Sequence, residues 1–330
     1  MEEKLIISSS PHIHTKRTTR GIMLDVLIAL SPAAVASIVY YGWVAALMLL
    51  ISVATCLLSE FLFNLIVKKK QTISDLSAAV TGVIYALSLP VPDATKIEGY
   101  NLWMLFWPCI IGAVFAIVVV KCLFGGLGCN FANPAVTARV LVLIAFSSVL
   151  GTATNTNLAG AADVVASSTP LATLSLGSRH LPSLLDMLLG NRGGAIGETC
   201  IIAIVIGFIY LVVRRVINWY VPAIYVGTVA LFSLFYYLVS GDSLILVLYQ
   251  IMGGGLVFGA VYMATDYVTT PINKLGKAVF ALGCGLITCL IRFFGNYPEG
   301  VSFAILIMNI LSPYIEKLTS AKPFGGVKKK

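Results

Sequence analysis

Ten stretches of this chain run for 15 to 25 residues with at most one charge each. A backbone that leaves water over such a length must satisfy its own amides, which admits helices or closed barrels only. The runs are continuous rather than alternating, so they read as helices. They cover 22–41, 43–67, 76–90, 102–124, 133–150, 196–213, 220–240, 244–265, 276–291 and 300–315. A full crossing takes about 20 apolar residues, so the shorter runs are expected to be broken or shielded by neighbours. Composition closes the alternatives. Charged residues are 11% of the 330 and hydrophobic ones 58%, where a soluble domain carries roughly 25% charge. A water-soluble particle, a disordered chain, a coiled coil and a disulfide scaffold are excluded, and an all-α polytopic membrane protein remains.

The net charge of +8 could suggest a nucleic-acid partner. Its placement argues otherwise. With the N-terminus cytoplasmic, 17 of the 22 bases fall in inside segments, four (Lys96, Arg179, Arg192, Arg292) outside, and Arg139 within a span. That bias is the positive-inside rule, with both termini cytoplasmic and no nucleic acid implied. The organisation read from it is a tail over 1–21, five spans over 22–150, an extracytoplasmic segment over 151–195, five spans over 196–317 and a basic tail over 318–330. The tails are lipid-facing and cytoplasmic on this reading. Ala34-Val35-Ala36 imitates a signal-cleavage site, but a polar lead of about twenty residues and Asp25 favour a retained first helix.

Five is odd, so the second set of spans runs opposite to the first. The two sets correspond. The fourth and ninth spans end in a base (Lys121, Arg292) followed by a glycine-bearing turn with an asparagine (Gly125 to Asn130; Gly295 to Gly300). The third span is short and closed by Pro90-Val91-Pro92, and the eighth is interrupted by Gly253-Gly254-Gly255. Inverted five-span repeats with interrupted members at matching positions mark transporter-type binding paths, although glycines also serve close packing. Asp25, Glu60, Asp75, Arg139, Glu198 and Asp266 lie in or at the ends of spans, where unpaired charge is costly. Asp75 and Asp266, at opposite ends of corresponding spans, are the ion-path candidates. Asp75 suits the positive end of its helix dipole. Arg139 is deepest and is expected to hold an anion or a buried carboxylate.

The seven cysteines form no C-x-x-C pair, and His12 and His14 have no companion ligands, so no metal or iron–sulfur set is read. The segment 151–195 is too long for a connector. Small residues before Thr169 leave its hydroxyl approachable and Pro170 turns the chain away. That suits a modified threonine and equally an ordinary Ser/Thr-rich loop.

Several ordered pieces together resemble the NqrB/RnfD family. They are Ser10-Pro11-His12, Asp75-Leu76-Ser77-Ala78-Ala79-Val80-Thr81-Gly82, Gly125 to Ala135 with Ala138-Arg139, Leu189-Gly190-Asn191 with Gly197-Glu198-Thr199, and Met263-Ala264-Thr265-Asp266 with Thr269-Thr270-Pro271. The resemblance spans nearly the whole chain. It implies a urea-transporter-like fold and a bacterial inner-membrane subunit of an Rnf-type complex. Such a complex passes electrons between ferredoxin and NAD while moving Na⁺ or H⁺. The implied partners are RnfA, RnfB, RnfC, RnfE and RnfG, which would carry the nucleotide and iron–sulfur sites this chain lacks. The resemblance also implies FMN joined through its phosphate to Thr169. Ala166-Ser167-Ser168 stands where the family has Ser-Gly-Ala, keeping small size but losing glycine. Thr173 is the fallback acceptor. Ser167, Ser168, Arg139 and Asn133 are the further cofactor-site candidates, and a second flavin, non-covalent riboflavin, is implied without assigned residues. The competing reading is a small-solute channel or secondary transporter, and a plainer one is an assembly scaffold without cofactor.

Overall fold

The computed structural model describes residues 17–91, 103–150, 169–175, 181–295, 297 and 299–320. Helices account for its regular structure, and among the described residues the sole β pairing is an isolated antiparallel bridge, Pro90 to Ala195. In chain order they are α1 (Thr19–Tyr41), α2 (Trp43–Ile66), α3 (Ser77–Leu87), α4 (Trp103–Val114), continued by a π-helical Phe115–Cys122, and α5 (Pro134–Ala145). Short helices follow: α6 (Ser147–Leu150), α7 (Pro170–Ser175) and α8 (Leu184–Leu189). The rest are α9 (Ile201–Val213), α10 (Tyr220–Ser240), α11 (Leu246–Met252), α12 (Leu256–Phe258) running into a π-helical Gly259–Met263, α13 (Lys274–Phe294) and α14 (Val301–Thr319).

All ten apolar runs are helical. Five of the helices are long and apolar enough to cross a membrane alone, α11 and the helix after it form one span bent by 51°, and four are shorter. The bend sits at Gly253-Gly254-Gly255, where the sequence places it. Gly254 has φ +59°, a left-handed conformation that a side chain resists. α1 runs unbroken through Ala34-Val35-Ala36 and packs against α9.

Local chemistry sets the helix ends. The Thr18 hydroxyl accepts from the Gly21 amide at 3.2 Å and opens α1. Asn133 opens α5 by accepting from the amides of Ala135 and Val136, with Pro134 in the first turn, where its missing N–H costs nothing. Packing then relies on small residues, as expected where lipid removes the hydrophobic drive between helices. A Cβ added at Gly82 of α3 would lie 2.9 Å from the Val53 Cα of α2, and the Ser52 hydroxyl donates to the Gly82 carbonyl at 2.8 Å.

Helices pack in two groups. α2 contacts α3 and α4, and α4 contacts α5; α10 contacts α11 and α13, and α13 contacts α14. The groups meet through α1 against α9 and α5 against α14. Part of 151–195 folds inward rather than looping outside. Residues 190–199 are almost wholly buried, and the sixth run, expected to be helical from 196, becomes so at Ile201. The amides of Ile196 and Gly197 bond the carbonyls of Leu89 and Leu87 instead of entering a helix, which accounts for that delay.

Candidate functional site

Polar side chains gather at two places, one near the lysine-rich helix ends and one near Thr169. At the first, Lys121 and Glu60 are buried together with Nζ to Oε1 at 2.8 Å. Glu60 Oε1 also accepts from the Thr72 hydroxyl at 2.6 Å, and Lys121 donates to the Ser77 hydroxyl at 2.5 Å. Ser77 passes the chain on to Asp75, donating to Oδ1 through its hydroxyl at 2.6 Å and through its amide at 2.8 Å. Asp75 thus sits just before α3, at the end of a 3-10 turn (Ile73–Asp75), and accepts from the first amide of the helix, as its dipole suggests.

A cleft opens beside this chain, between the two helix groups. Apolar residues of α1, α3 and the π-turn around Tyr262 line most of it, and its polar wall is Ser77, Lys121, Asn130, Asn133, Thr265 and Asp266. The cavity brings together Asp266, Asn133 and, through Ser77, the Asp75 chain. Asn133 keeps its capping bonds and donates to the Met263 carbonyl at 3.4 Å. Asp266 accepts from the Thr269 hydroxyl at 3.1 Å and the Val268 amide at 3.4 Å. Burial pushes its carboxyl pKa up, and those donors work the other way.

The second place is built from distant segments. Arg139, on α5, is buried and bridges two carboxylates, Glu198 at 2.5 Å and Glu299 at 2.7 Å. It therefore holds a buried carboxylate, Glu198, one of the two partners its depth suggests, together with the partly exposed Glu299. Arg192, also buried, donates to the Glu198 carbonyl at 2.9 Å, and its side chain has no carboxylate bonded to it among the described residues. Arg292, at the end of α13, is buried and donates to the Gln250 carbonyl at 2.6 Å and the Gly253 carbonyl at 3.3 Å, closing the exposed end of α11. Leu171 of α7 rests on the break itself: a Cβ at Gly254 would meet Leu171 at 2.9 Å and Arg292 at 3.3 Å.

Thr169 precedes α7. Its carbonyl accepts from the amides of Ala172 at 2.8 Å and Thr173 at 3.0 Å, and the residue is half-buried. Thr173 spends its hydroxyl on the Pro170 carbonyl at 2.8 Å. Ser167 and Ser168 lie outside the described residues. Arg139 and Asn133, six positions apart on α5, serve different places, the charge cluster and the cavity. Glu60 and Glu198, read as charges in or at the ends of spans, are buried in ion pairs. Arg192 and Arg292, read as outside-loop bases, are buried as well, and Glu299 carries no mark in the sequence that sets it apart. The matching bases at the ends of the fourth and ninth spans are the available signal.

The chain matches the family model described as NQR2, RnfD, RnfE over residues 6–325. It is 41% identical to the D subunit of the Na⁺-translocating ferredoxin:NAD⁺ oxidoreductase complex of Acetobacterium woodii, over 99% of this chain and 97% of that one. It is 36% identical to the proton-translocating counterpart of Clostridium ljungdahlii, over 97% and 96%. It is 32% identical to the D subunit of the ion-translocating oxidoreductase complex of Mannheimia succiniciproducens, over 97% of each chain. A family-model match over nearly the whole chain and full-length relatives at up to 41% identity place the chain in the NQR2, RnfD, RnfE family.

Proposed function

We propose that this chain is the D-type membrane subunit of an ion-translocating ferredoxin:NAD oxidoreductase complex, that it works beside RnfA, RnfB, RnfC, RnfE and RnfG, and that Thr169 bears FMN through its phosphate. Full-length identity of 41% to a subunit named for that reaction supports the complex. The observation that carries the attachment site is Thr169 itself. It is half-buried, at the head of a helix seated on the broken span and beside buried arginines, whereas the hydroxyl of the nearby Thr173 is committed to a backbone carbonyl. An FMN bonded there would supply one- and two-electron transfer. The chain's own residues would orient it: Leu171 seats α7 on the bend at Gly254, and Arg292 beside it supplies positive charge.

The orientation proposed is both termini cytoplasmic in a bacterial inner membrane, supported by the lysines gathered at one end of the helices. Two inverted five-helix repeats, 22–150 and 196–317, are supported by the matched packing of α2 with α3 and α4, and of α10 with α11 and α13. Asp75 and Asp266 are proposed for the ion path, since a cavity joins their surroundings between the repeats. A second, non-covalent flavin, riboflavin, is proposed for the mouth of that cleft, with Asn133 among its contacts, and the mixed apolar and polar lining is what supports it.

In-gel flavin fluorescence of the denatured chain, made in a host that flavinylates such subunits, tests the attachment. Wild type and Thr173→Ala are expected to fluoresce and Thr169→Ala to be dark. A dark wild-type band overturns the reading and favours a channel or a scaffold without cofactor.

A further inference from the structure

Five ionisable side chains meet beneath α7: Arg139, Arg192, Arg292, Glu198 and Glu299. Arg139 takes both carboxylates. Arg192 and Arg292 bond neutral acceptors, and the cluster carries a net charge of one positive unit with all of its arginines buried. An uncompensated charge at membrane depth is costly, so the cluster calls for a monoanion from outside itself.

Donor capacity points to where that anion sits. A guanidinium has five N–H donors in a fixed fork. Arg292 uses one firmly, at 2.6 Å, and one at 3.3 Å, and its Nε has no partner among the described residues. The Nε of Arg192 has none either. Leu171 and Arg292 both reach the open side of Gly254, so the segment that begins at Thr169 lies over this unspent positive charge.

We propose that Arg292, backed by Arg192, is the phosphate-binding residue of this chain and holds the phosphodiester monoanion that a flavin on Thr169 carries. The proposal rests on the flavin reading. Its charge balance is simple: one phosphodiester, ionised throughout the physiological range, neutralises the single excess unit. It also gives the glycine break a purpose, since a side chain at Gly254 would fill the space Arg292 and Leu171 share. The Nε of Arg139 is also without a partner, so charge decides between them: Arg139 is neutralised by its two carboxylates and is not the phosphate ligand.

The test is the rate at which phosphodiesterase strips flavin from the native, detergent-purified full chain, followed as loss of in-gel fluorescence from its band, which counts covalent flavin alone. Arg292→Gln is expected to lose flavin about tenfold faster than wild type, and Arg292→Lys at close to the wild-type rate, because charge-assisted bonds to phosphate are the strong ones. Leu171→Ala keeps every charge but unseats α7, and is also expected to lose flavin faster. A folded Arg292→Gln that is stripped at the wild-type rate overturns the proposal and leaves the flavin reading intact. Should Arg292→Gln fail to accumulate, Leu171→Ala decides, and protection equal to wild type overturns the seat. A wild-type chain dark before any treatment overturns both.

Discussion

The third and eighth helical runs each stop inside the molecule, and each leaves carbonyls that no next turn will satisfy. The first group solves this with backbone. The amides of Ile196 and Gly197 donate to the carbonyls of Leu89 at 3.0 Å and Leu87 at 2.8 Å, so a strand-like piece of the inward-folded segment closes α3. The second group solves it with a side chain, the guanidinium of Arg292 on the carbonyls that end α11. The bases at the ends of the fourth and ninth runs diverge with them. Lys121 has a carboxylate, Glu60, at 2.8 Å, and Arg292 has none bonded to it among the described residues. The first group gives its buried base a carboxylate, while the second keeps a buried base without one beside the segment that holds Thr169. The asymmetry separates a base spent on an internal pair from one spent on backbone.

The largest expected effect comes from breaking the closed side. Glu60→Gln leaves Lys121 buried with only neutral partners, and removing one member of a buried pair costs about 3–5 kcal/mol. The thermal midpoint of the detergent-purified chain should fall accordingly, and Glu60→Gln with Lys121→Met should recover much of the loss. If the single and double variants melt alike, the pair is not what stabilises this group.

A middling effect is expected from glycines that serve the two groups differently. Gly82→Ala forces α2 and α3 apart, because the added methyl meets the Val53 backbone, and overpacking of that kind costs about 1–3 kcal/mol. Gly254→Ala is strained by its φ of +59°, a cost of about 1–2 kcal/mol, and it also pushes Leu171 off the break. The two variants should therefore part company under limited proteolysis. Gly254→Ala is expected to be cut faster within 169–175 than wild type, and Gly82→Ala is not. Equal cutting of Gly254→Ala and wild type would show that α7 is held by something other than its seat.

Much of this comparison could be read in the residues themselves. Apolar runs located every helix that crosses the body, the glycine triplet located the bend, and Asp75 announced the opening of α3. The charge cluster could not be read in the same way. Arg139 lies 59 residues from Glu198 and 160 from Glu299, and no periodicity links positions so far apart. Arg192 and Arg292 were hidden by their neighbours. Arg192 is followed by Gly193-Gly194, a composition that signals an exposed turn and that the chain uses to fold inward, and Arg292 stands in the last turn of α13, where a base ordinarily reaches water. Lys121 shows the converse, a base that counts toward orientation and is nonetheless buried in an ion pair. Charge counting reports which side a segment favours, and burial is decided by partners that sequence distance conceals.

The smallest effect concerns Asp266, the acid that the second group presents to the cavity. Its carboxyl is raised by burial in the folded chain. The native state therefore holds a proton that the unfolded chain, with an aspartate pKa near 3.9, has already lost. Stability is full below that unfolded value and declines as pH rises toward the folded one. Because the residue is only half-buried, the contribution is expected to stay below about 1 kcal/mol. Melting wild type and Asp266→Asn side by side from pH 4 to 7 isolates it, since the amide does not titrate and other carboxylates are common to both. The wild type should lose more stability than the variant as pH rises across that window. Parallel curves would mean that the ionised carboxylate is as well solvated in the cavity wall as in water.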